Sequence, residues 1–331
     1  MSTVFMIILL IIVGIFFWLS TQSGKFNVSR KRTIDATPEE LFAIVSDFKT
    51  WPEWTPWLAH EPGCSLAFSD QTDQEGSWYS WDGKIIGAGK MMQNVLQSPS
   101  RIDARLEFTR PMKSNSDVYW DFVPVDEGTE VTWGMKGEMP FFFRWMAAKM
   151  DGMIGKDYEI GLARLAMQAG DNSNPLELEF SGIIEAPAQQ YISSAWEGSL
   201  DELGPVMKEG YPKLMAAVEE HGLELSDSPF AIYHKVDPKK RFVKCEMALP
   251  VKEGKEIAGF NTGELPARRY SRTTLRGEYS HLEHAWHAAF SHLRMVKQKF
   301  KWPQPMLERY AGDPQVNSGL DVVTHLDIPV K

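Results

Sequence analysis

The stretch "IDATPEELFAIVSDFKTWPEWTPW", residues 34–57, holds the start of a helix and a cluster of tryptophans. Thr37 is a residue type that caps helix N-termini, and Pro38 is favoured in a first helical turn. The two glutamates that follow suit the positive end of the helix dipole. We therefore expect a helix over residues 35–48, because apolar residues also recur there at helical spacing.

Three tryptophans follow at a spacing of three, at Trp51, Trp54 and Trp57. This spacing places them along one side of a short helical turn, which Pro52 and Pro56 stiffen. Two interpretations stay open: the indoles plug one end of a packed core, or they close a cavity that holds a small molecule. In the second case, tryptophans from later strands would line the cavity. The candidates are Trp78, Trp81, Trp120 and Trp133.

Strand-like segments with alternating apolar and polar residues surround this stretch. One precedes it over 26–34, and five more follow at short spacing between residues 76 and 139. A long helix over 151–169 closes the series. The polar segment "GDNSNP" comes next and suggests a linker. We expect an α+β chain whose first domain, 25–170, is an antiparallel meander, followed by a linker at 171–175 and a second domain at 176–331.

The second domain carries a weak internal repeat. "PFAIYHKVDP" precedes a strand that ends in Pro-Val, and "PMLERYAGDP" precedes another strand with the same ending. Aligning the two Pro-Val ends puts Glu246 opposite His325. The repeat predicts a duplicated unit of a helix and strands, with two strands that line one groove.

The overall composition excludes several classes of function. The net charge is −9 and the pI is about 5.5, whereas nucleic-acid binding normally rests on a basic surface, so no nucleic-acid partner is expected. Cys64 and Cys245 are too far apart for a metal-ligand spacing, and Cys245 is predicted to be a small core residue. The glycines of "GKIIGAGK" lie among strands without a following helix, so we expect no nucleotide cofactor.

Residues 4–19, "VFMIILLIIVGIFFWL", contain no polar side chain. A signal peptide would have a basic residue before this run, but only "MST" precedes it, and Trp18 suits a membrane interface. Lys25 and residues 30–32 are basic, which favours a cytoplasmic location for that flank. We therefore expect residues 1–24 to be a single-pass anchor in the cell membrane, with the soluble part on the cytoplasmic side.

The first domain resembles the START-like superfamily, also called SRPBCC or polyketide cyclase-like. The opening pattern "IDATPEELFAIVSDFKTWPEWTPW" and the "GLARL" of the closing helix carry this resemblance. It implies a helix-grip fold, in which a curved antiparallel sheet wraps around the long C-terminal helix and leaves an apolar cavity between them.

The second domain resembles the GyrI-like small-molecule-binding domain, which is the effector-binding domain of some bacterial transcription activators. The residues that carry the resemblance are "PFAIYHKVDP", "CEMALPV", "GELPARRYSRTTLRGEYSHLEHAW" and "LDVVTHLDIPVK". Such domains usually follow a DNA-binding helix-turn-helix. No such motif is recognisable in this sequence, so a role in transcription is not expected.

Glu246 is the strongest candidate for a functional residue in this domain. Apolar residues flank it in a strand, and a buried carboxylate without a partner is costly. The resemblance implies that it lies at the base of the ligand pocket. The aromatic walls would be Phe230, Tyr233, Tyr279 and Trp286. The alternative for Glu246 is a structural ion pair with a nearby arginine, such as Arg268 or Arg269.

Three histidines, His281, His284 and His287, are spaced three apart in a predicted helix. They lie away from the apolar stripe of that helix, so we interpret them as a solvated face and expect no metal site.

These patterns predict a membrane-anchored bacterial protein that binds or senses hydrophobic or cationic aromatic small molecules. A hydrolase that uses Glu246 and Tyr279 as base and acid is the alternative, so the choice between enzyme and binding protein stays open. A second alternative is a protein that inhibits gyrase by contact.

Overall fold

The structure is a computed structural model that describes residues 3–312 and 316–331. The chain divides into two compact units, Met1–Ser173 and Asn174–Lys331. The division lies in the polar segment around residues 170–175.

The first unit begins with an apolar helix and continues as an antiparallel sheet with three further helices. Its helices are α1 (Thr3–Thr21), α2 (Pro38–Ser46), α3 (Trp51–Trp54) and α4 (Met150–Gln168). Its strands are β1 (Lys25–Ile34), β2 (Ser65–Phe68), β3 (Trp78–Asp82), β4 (Ala88–Gln97), β5 (Arg101–Arg110), β6 (Ser114–Val125) and β7 (Gly128–Glu138). The strand order is β1-β7-β6-β5-β4-β3-β2. All the strands predicted for this unit are present, and the structure adds β2, a strand of only four residues that the sequence analysis does not predict.

Helix α2 begins as its sequence predicts. The Thr37 side chain accepts a hydrogen bond from the Glu40 N–H at 3.3 Å, and the Glu40 carboxylate accepts one from the Thr37 N–H at 2.9 Å. This reciprocal capping box satisfies two N–H groups that a helix start otherwise leaves unpaired. The cap holds α2 so that Leu41 and Val45 are fully buried in the core of the unit.

The long helix α4 packs against β1 and also contacts β7 and α3. It contributes Tyr158, Leu162 and Leu165 to a single apolar core that the sheet, α2 and α3 complete. An antiparallel sheet packed on a long C-terminal helix is therefore present in this unit.

The second unit is an eight-stranded antiparallel sheet with two helices. The helices are α5 (Leu203–Glu220) and α6 (Leu282–Met295). The strands are β8 (Leu176–Ala186), β9 (Gln189–Ser199), β10 (Phe230–Asp237), β11 (Phe242–Pro250), β12 (Asn261–Leu265), β13 (Arg268–Gly277), β14 (Met306–Tyr310) and β15 (Val323–Pro329). Their order is β12-β9-β11-β10-β14-β15-β13-β8.

This order has the symmetry of a duplication. The series β9-α5-β10-β11 and β13-α6-β14-β15 occupy mirrored positions, and β10 and β14 pair antiparallel at the centre. Each outer strand pairs with the opposite copy, since β8 pairs with β13 and β12 pairs with β9. The Asp-Pro dipeptide of the second predicted copy, residues 313–314, lies outside the described residues.

The two faces of this sheet have different neighbours. Ala231, Tyr233 and Cys245 pack with side chains of α5 and α6, and we call this the helix face. Ile232 and Leu307, one residue away along their strands, pack in a separate cluster on the opposite face. Cys245 is buried, and burial raises the pKa of its thiol to about 12.

Candidate functional site

A buried carboxylate with three hydrogen-bond donors lies on the helix face, in strand β14. This residue is Glu308, which is only 3% exposed. Its Oε2 accepts hydrogen bonds from the hydroxyls of Tyr233 at 2.8 Å and Tyr310 at 2.9 Å. Its Oε1 accepts one from the indole Nε1 of Trp286 at 2.5 Å. All three donors are neutral, and Glu308 forms no ion pair with any described residue.

Aromatic rings continue around this carboxylate. The rings of Tyr279 and Tyr211 lie 5.5 and 5.8 Å from that of Tyr310, and the Trp286 ring lies 6.3 Å from that of Tyr233. We call this group the aromatic cage; its members are Tyr211, Tyr233, Tyr279, Trp286 and Tyr310. Strands β10 and β14, helices α5 and α6 and the turn before α6 each contribute to it.

The electrostatics of the cage follow from its burial. Burial raises the pKa of Glu308, because the ionised form loses its hydration, and the three hydrogen bonds oppose this increase. Burial and the neighbouring Glu308 raise the pKa values of Tyr233 and Tyr310 well above the ordinary tyrosine value. Both phenols therefore stay protonated and serve as donors.

Glu246, the carboxylate that the sequence favours, lies elsewhere. It pairs with Ile232 across β10 and β11 and so lies on the opposite face of the sheet from Tyr233. Its carboxylate is 2.6 Å from the Nε2 of His234 and accepts a hydrogen bond from Ser193 at 2.5 Å. The hydrogen bond with His234 lowers the pKa of Glu246.

This placement corrects two predictions about Glu246. It does not share a groove with Tyr233, Tyr279 and Trp286, since alternation along β11 directs Cys245 to the helix face instead. The alternative ion pair with Arg268 or Arg269 is also wrong, because the partner is His234.

Phe230 is likewise on the opposite face, where its ring lies 5.0 Å from the guanidinium of Arg309. Arg309 and Arg272 both bind the fully buried carboxylate of Asp327, Arg272 through two hydrogen bonds of 2.7 and 2.8 Å. A cavity of about 270 Å³ lies on this face, lined in part by Arg272, Arg309 and His325. It is distinct from the aromatic cage, because no member of the cage lines it.

The tryptophans of the opening stretch are packed against one another in the first unit. Trp51 and Trp54 lie in α3 and are almost fully buried, with ring centroids 5.1 Å apart. Trp57 is partly buried, and its indole Nε1 donates to Asp157 at 3.2 Å. This close packing is what the core-plug interpretation expects.

The tryptophans on the strands differ in the face of the sheet to which their positions direct them. Trp120 and Trp133 are paired neighbours on β6 and β7 and join the same core, as does Trp81. Trp78 does not, because it is three residues before Trp81 and so faces the other side of β3. The ammonium of Lys90 lies 4.5 Å from the Trp78 ring. The prediction that Trp78 and Trp81 line one cavity is therefore wrong, whereas the ligand-lining role of the buried tryptophans stays a prediction.

The histidines do not form the solvated face that their spacing suggests. His281 is 4% exposed, because it precedes α6 in a short turn and its ring lies against the segment around residue 174. His284 and His287 are half-buried. Among residues 3–312 and 316–331, no three His, Cys, Asp or Glu side chains come together as a possible metal site.

Comparison with protein families matches both halves of the chain. Residues 25–170 match the family described as polyketide cyclase / dehydrase and lipid transport, and residues 181–331 match the GyrI-like small molecule binding domain. The chain joins a START-like domain to a GyrI-like domain. Both families include small-molecule-binding proteins, and the aromatic cage belongs to the GyrI-like domain.

Solved structures match parts of this chain at low similarity. The C-terminal domain of EcmrR is 18% identical, with a TM-score of 0.38, and the match covers 48% of this chain and 98% of that one. EcmrR in a DNA complex is 15% identical, with a TM-score of 0.40, covering 58% and 72%. A Chromobacterium violaceum protein is 13% identical, with a TM-score of 0.34, covering 43% and 96%. The comparison with curated proteins finds no match. These similarities carry no functional conclusion for this chain.

The sequence carries a signal for Glu308 beside the one for Glu246. Glu308 lies in "MLERY", inside the second copy of the internal repeat. It is a carboxylate within a strand, as Glu246 is, and an aromatic residue follows two positions later. A search for charged residues in both copies of the repeat would have proposed both carboxylates.

Proposed function

We propose that this chain is a membrane-anchored protein that binds a hydrophobic, cationic aromatic small molecule in the aromatic cage of its GyrI-like domain. The observation that carries this proposal is Glu308, a buried carboxylate whose hydrogen-bond donors among the described residues are all neutral. Such a group is costly to ionise unless a positive charge is brought to it.

A ligand cation would supply that charge. Aromatic rings also attract a cation through their negative faces, by about 0.5–2 kcal/mol per contact. A neutral ligand of the same shape would gain only the burial of its apolar surface. The cage is therefore suited to distinguish ligands by charge as well as by shape.

Access to Glu308 would require movement at the edge of the cage. Tyr233 and Tyr310 are anchored on central strands, whereas Trp286 and Tyr279 are half-buried and lie at the start of α6 and in the turn before it. We expect the ligand to displace the Trp286 ring and to take over its contact with Glu308.

The test uses two ligands of nearly identical shape, phenyltrimethylammonium and tert-butylbenzene. Calorimetry of the purified full chain should show stronger binding of the cation. Its affinity should also increase as the pH rises through the raised pKa of Glu308, because binding requires the ionised form. Equal affinities, or an affinity for the cation that is independent of pH, would contradict the proposal.

Hydrolysis is the second candidate, because a buried carboxylate of raised pKa can act as a general base or acid. The residues differ from those of the sequence prediction: Glu308 takes the place of Glu246, and Tyr279 lies beside Tyr310. Under this hypothesis, Tyr279→Phe would abolish turnover of a reactive ester while leaving the binding of phenyltrimethylammonium nearly intact.

The proposed anchor is α1, with the two domains on the cytoplasmic side. This helix is long and apolar enough to cross a membrane, a property that it shares with signal sequences near an N-terminus. The anchored protein should resist carbonate extraction from the membrane fraction. A released chain that begins between residues 20 and 25 would contradict this.

A ligand site in the START-like domain is proposed as well. The indole N–H groups of Trp54, Trp120 and Trp133 are buried without a hydrogen-bond partner among the described residues. A bound molecule with an acceptor atom could pair with one of them. Native mass spectrometry of the full chain, with and without Glu308→Gln, would show whether a co-purified molecule depends on the aromatic cage.

A further inference from the structure

An exposed aromatic segment lies between β7 and α4 in the START-like domain. Residues 139–149 read "MPFFFRWMAAK". Phe142 is 61% exposed, and Phe143 and Trp145 are each 39% exposed. Met153, one turn into α4, is also exposed. Adjoining large apolar side chains on a surface are costly in water and mark an interaction site.

This segment adjoins the end of the apolar helix α1. The Phe16 ring lies 5.7 Å from the rings of both Phe141 and Phe142. At the base of the segment, the Met139 N–H donates to the carbonyl of Gly24 at 2.9 Å. The aromatic segment and the C-terminal part of α1 therefore form one continuous apolar surface.

The geometry sets the depth of this segment relative to α1. Phe16 precedes the last helical residue, Thr21, by five residues, which is about 7.5 Å along the helix axis at the usual α-helical rise. If α1 spans a bilayer and ends at its surface, rings that touch Phe16 lie at that depth. Interfacial aromatic and apolar side chains typically reach about 5–10 Å into the headgroup and acyl boundary.

The charges of the segment suit the same location. Arg144 and Lys149 are the only charged residues between 139 and 149, and both are basic, while the acidic Asp151 that follows them is paired with Arg30 at 2.7 Å. The Lys149 ammonium lies 4.8 Å from the Trp145 ring, and the Arg144 guanidinium lies 5.2 Å from the Phe141 ring. Arg144 is partly compensated by Glu138 at 3.6 Å. Aromatic rings combined with basic residues are typical of contact with anionic lipid headgroups.

We propose that residues 141–153 form a second membrane contact, in which Phe142, Phe143 and Trp145 insert into the headgroup region of an anionic bilayer beside α1. This inference rests on the proposed anchor. Its consequence is that the START-like domain lies on the membrane surface with the N-terminal end of α4 against the lipid, rather than at the end of a free tether.

The test places an environment-sensitive fluorophore at Phe142→Cys in the full chain, with Cys64 and Cys245 replaced by alanine. The protein is reconstituted into vesicles of phosphatidylcholine and phosphatidylserine that carry lipids spin-labelled near the headgroup end of the acyl chain. The matched control is Val123→Cys, because Val123 is 48% exposed in the same domain. Val123 of β6 lies opposite Glu130 of β7, whereas Lys25, beside the anchor, lies opposite Glu138 of the same strand. Because Glu130 and Glu138 are about 27 Å apart along β7, Val123 is far from the anchor.

We expect the fluorophore at position 142 to emit at shorter wavelength, to be quenched by the labelled lipid and to lose its quenching by aqueous iodide. The fluorophore at position 123 should show the reverse. If the embedded protein leaves position 142 open to iodide, the inference is wrong while the anchor stands. Protection from iodide without lipid quenching would indicate a protein partner and would also overturn it. A protein that carbonate extracts from the vesicles would overturn the anchor and this inference together.

Discussion

Replacing Glu308 by glutamine removes the charge of the aromatic cage and leaves its shape nearly unchanged. The amide oxygen of glutamine can still accept from the Trp286 indole, which is a donor only, and the amide NH2 can then donate to the Tyr233 and Tyr310 hydroxyls once these rotate to accept. The variant therefore isolates the contribution of the charge. Glu308→Ala would instead leave three buried donors unpaired and would confuse binding with stability.

The expected magnitude follows from the contacts of Glu308. A hydrogen bond or ion contact to a charged group contributes about 1–3 kcal/mol, so Glu308→Gln should weaken the binding of phenyltrimethylammonium by about 5- to 150-fold. Binding of tert-butylbenzene should be nearly unchanged. The increase of affinity with pH that the wild type shows should disappear, because the titrating group has been removed.

Stability should change in a direction fixed by the pKa of Glu308. Burial raises this pKa in the folded protein, so Glu308 favours folding below the unfolded pKa of about 4.3, and this contribution is lost as pH rises through the folded pKa. Glu308→Gln has no such loss. Its stability relative to the wild type should therefore increase with pH, which denaturant unfolding at several pH values would measure.

Glu246→Gln is the matched control, because it is the same substitution at the other strand carboxylate, the one that the sequence favours. Its partners are His234 and Ser193 on the opposite face, so the affinity for the cation should stay within error of the wild type. The reasoning would be refuted if Glu246→Gln weakened cation binding and Glu308→Gln did not.

Three further substitutions test other parts of the structure. Trp286→Phe keeps an aromatic ring but removes an N–H that lowers the pKa of Glu308, so the pH dependence of cation binding should move to higher pH in calorimetry. Trp54→Ala should destabilise the START-like domain by about 3–5 kcal/mol in denaturant unfolding, and a loss below 1 kcal/mol would contradict its tight packing. Asp327→Asn should destabilise the GyrI-like domain by about 3–5 kcal/mol, since it leaves Arg272 without its buried partner; unchanged unfolding would show that the ion pair is dispensable.

Much of the fold could be predicted because its signals are local. The cap of α2 depends on Thr37, Pro38 and Glu40, which lie within one turn, and a capping box needs no other part of the chain. The strands of both domains show in their alternation and turn residues, and the patterns that carry the two family resemblances are continuous stretches. The apolar character of residues 4–19 is likewise a property of composition.

The candidate site could be predicted only in part. Tyr233, Tyr279 and Trp286 were expected to line one groove, and the structure brings them together. The sequence favours Glu246 as their central carboxylate, although Glu308 also lies within a strand and follows an apolar residue, Leu307. Sequence alone offers no means of ranking two such residues.

The tertiary structure decides between them through strand pairing and the placement of two helices. Side chains alternate between the faces of a strand, so the pairing of Glu246 with Ile232 and of Ala231 with Glu308 assigns the two carboxylates to opposite faces. Helices α5 and α6 cover only the face that carries Glu308, because each packs back onto the strands of its own repeat. Local sequence thus determines which residues are strands and caps, whereas the burial of one carboxylate among aromatic rings depends on contacts between segments up to about a hundred residues apart, such as Tyr310 and Met207.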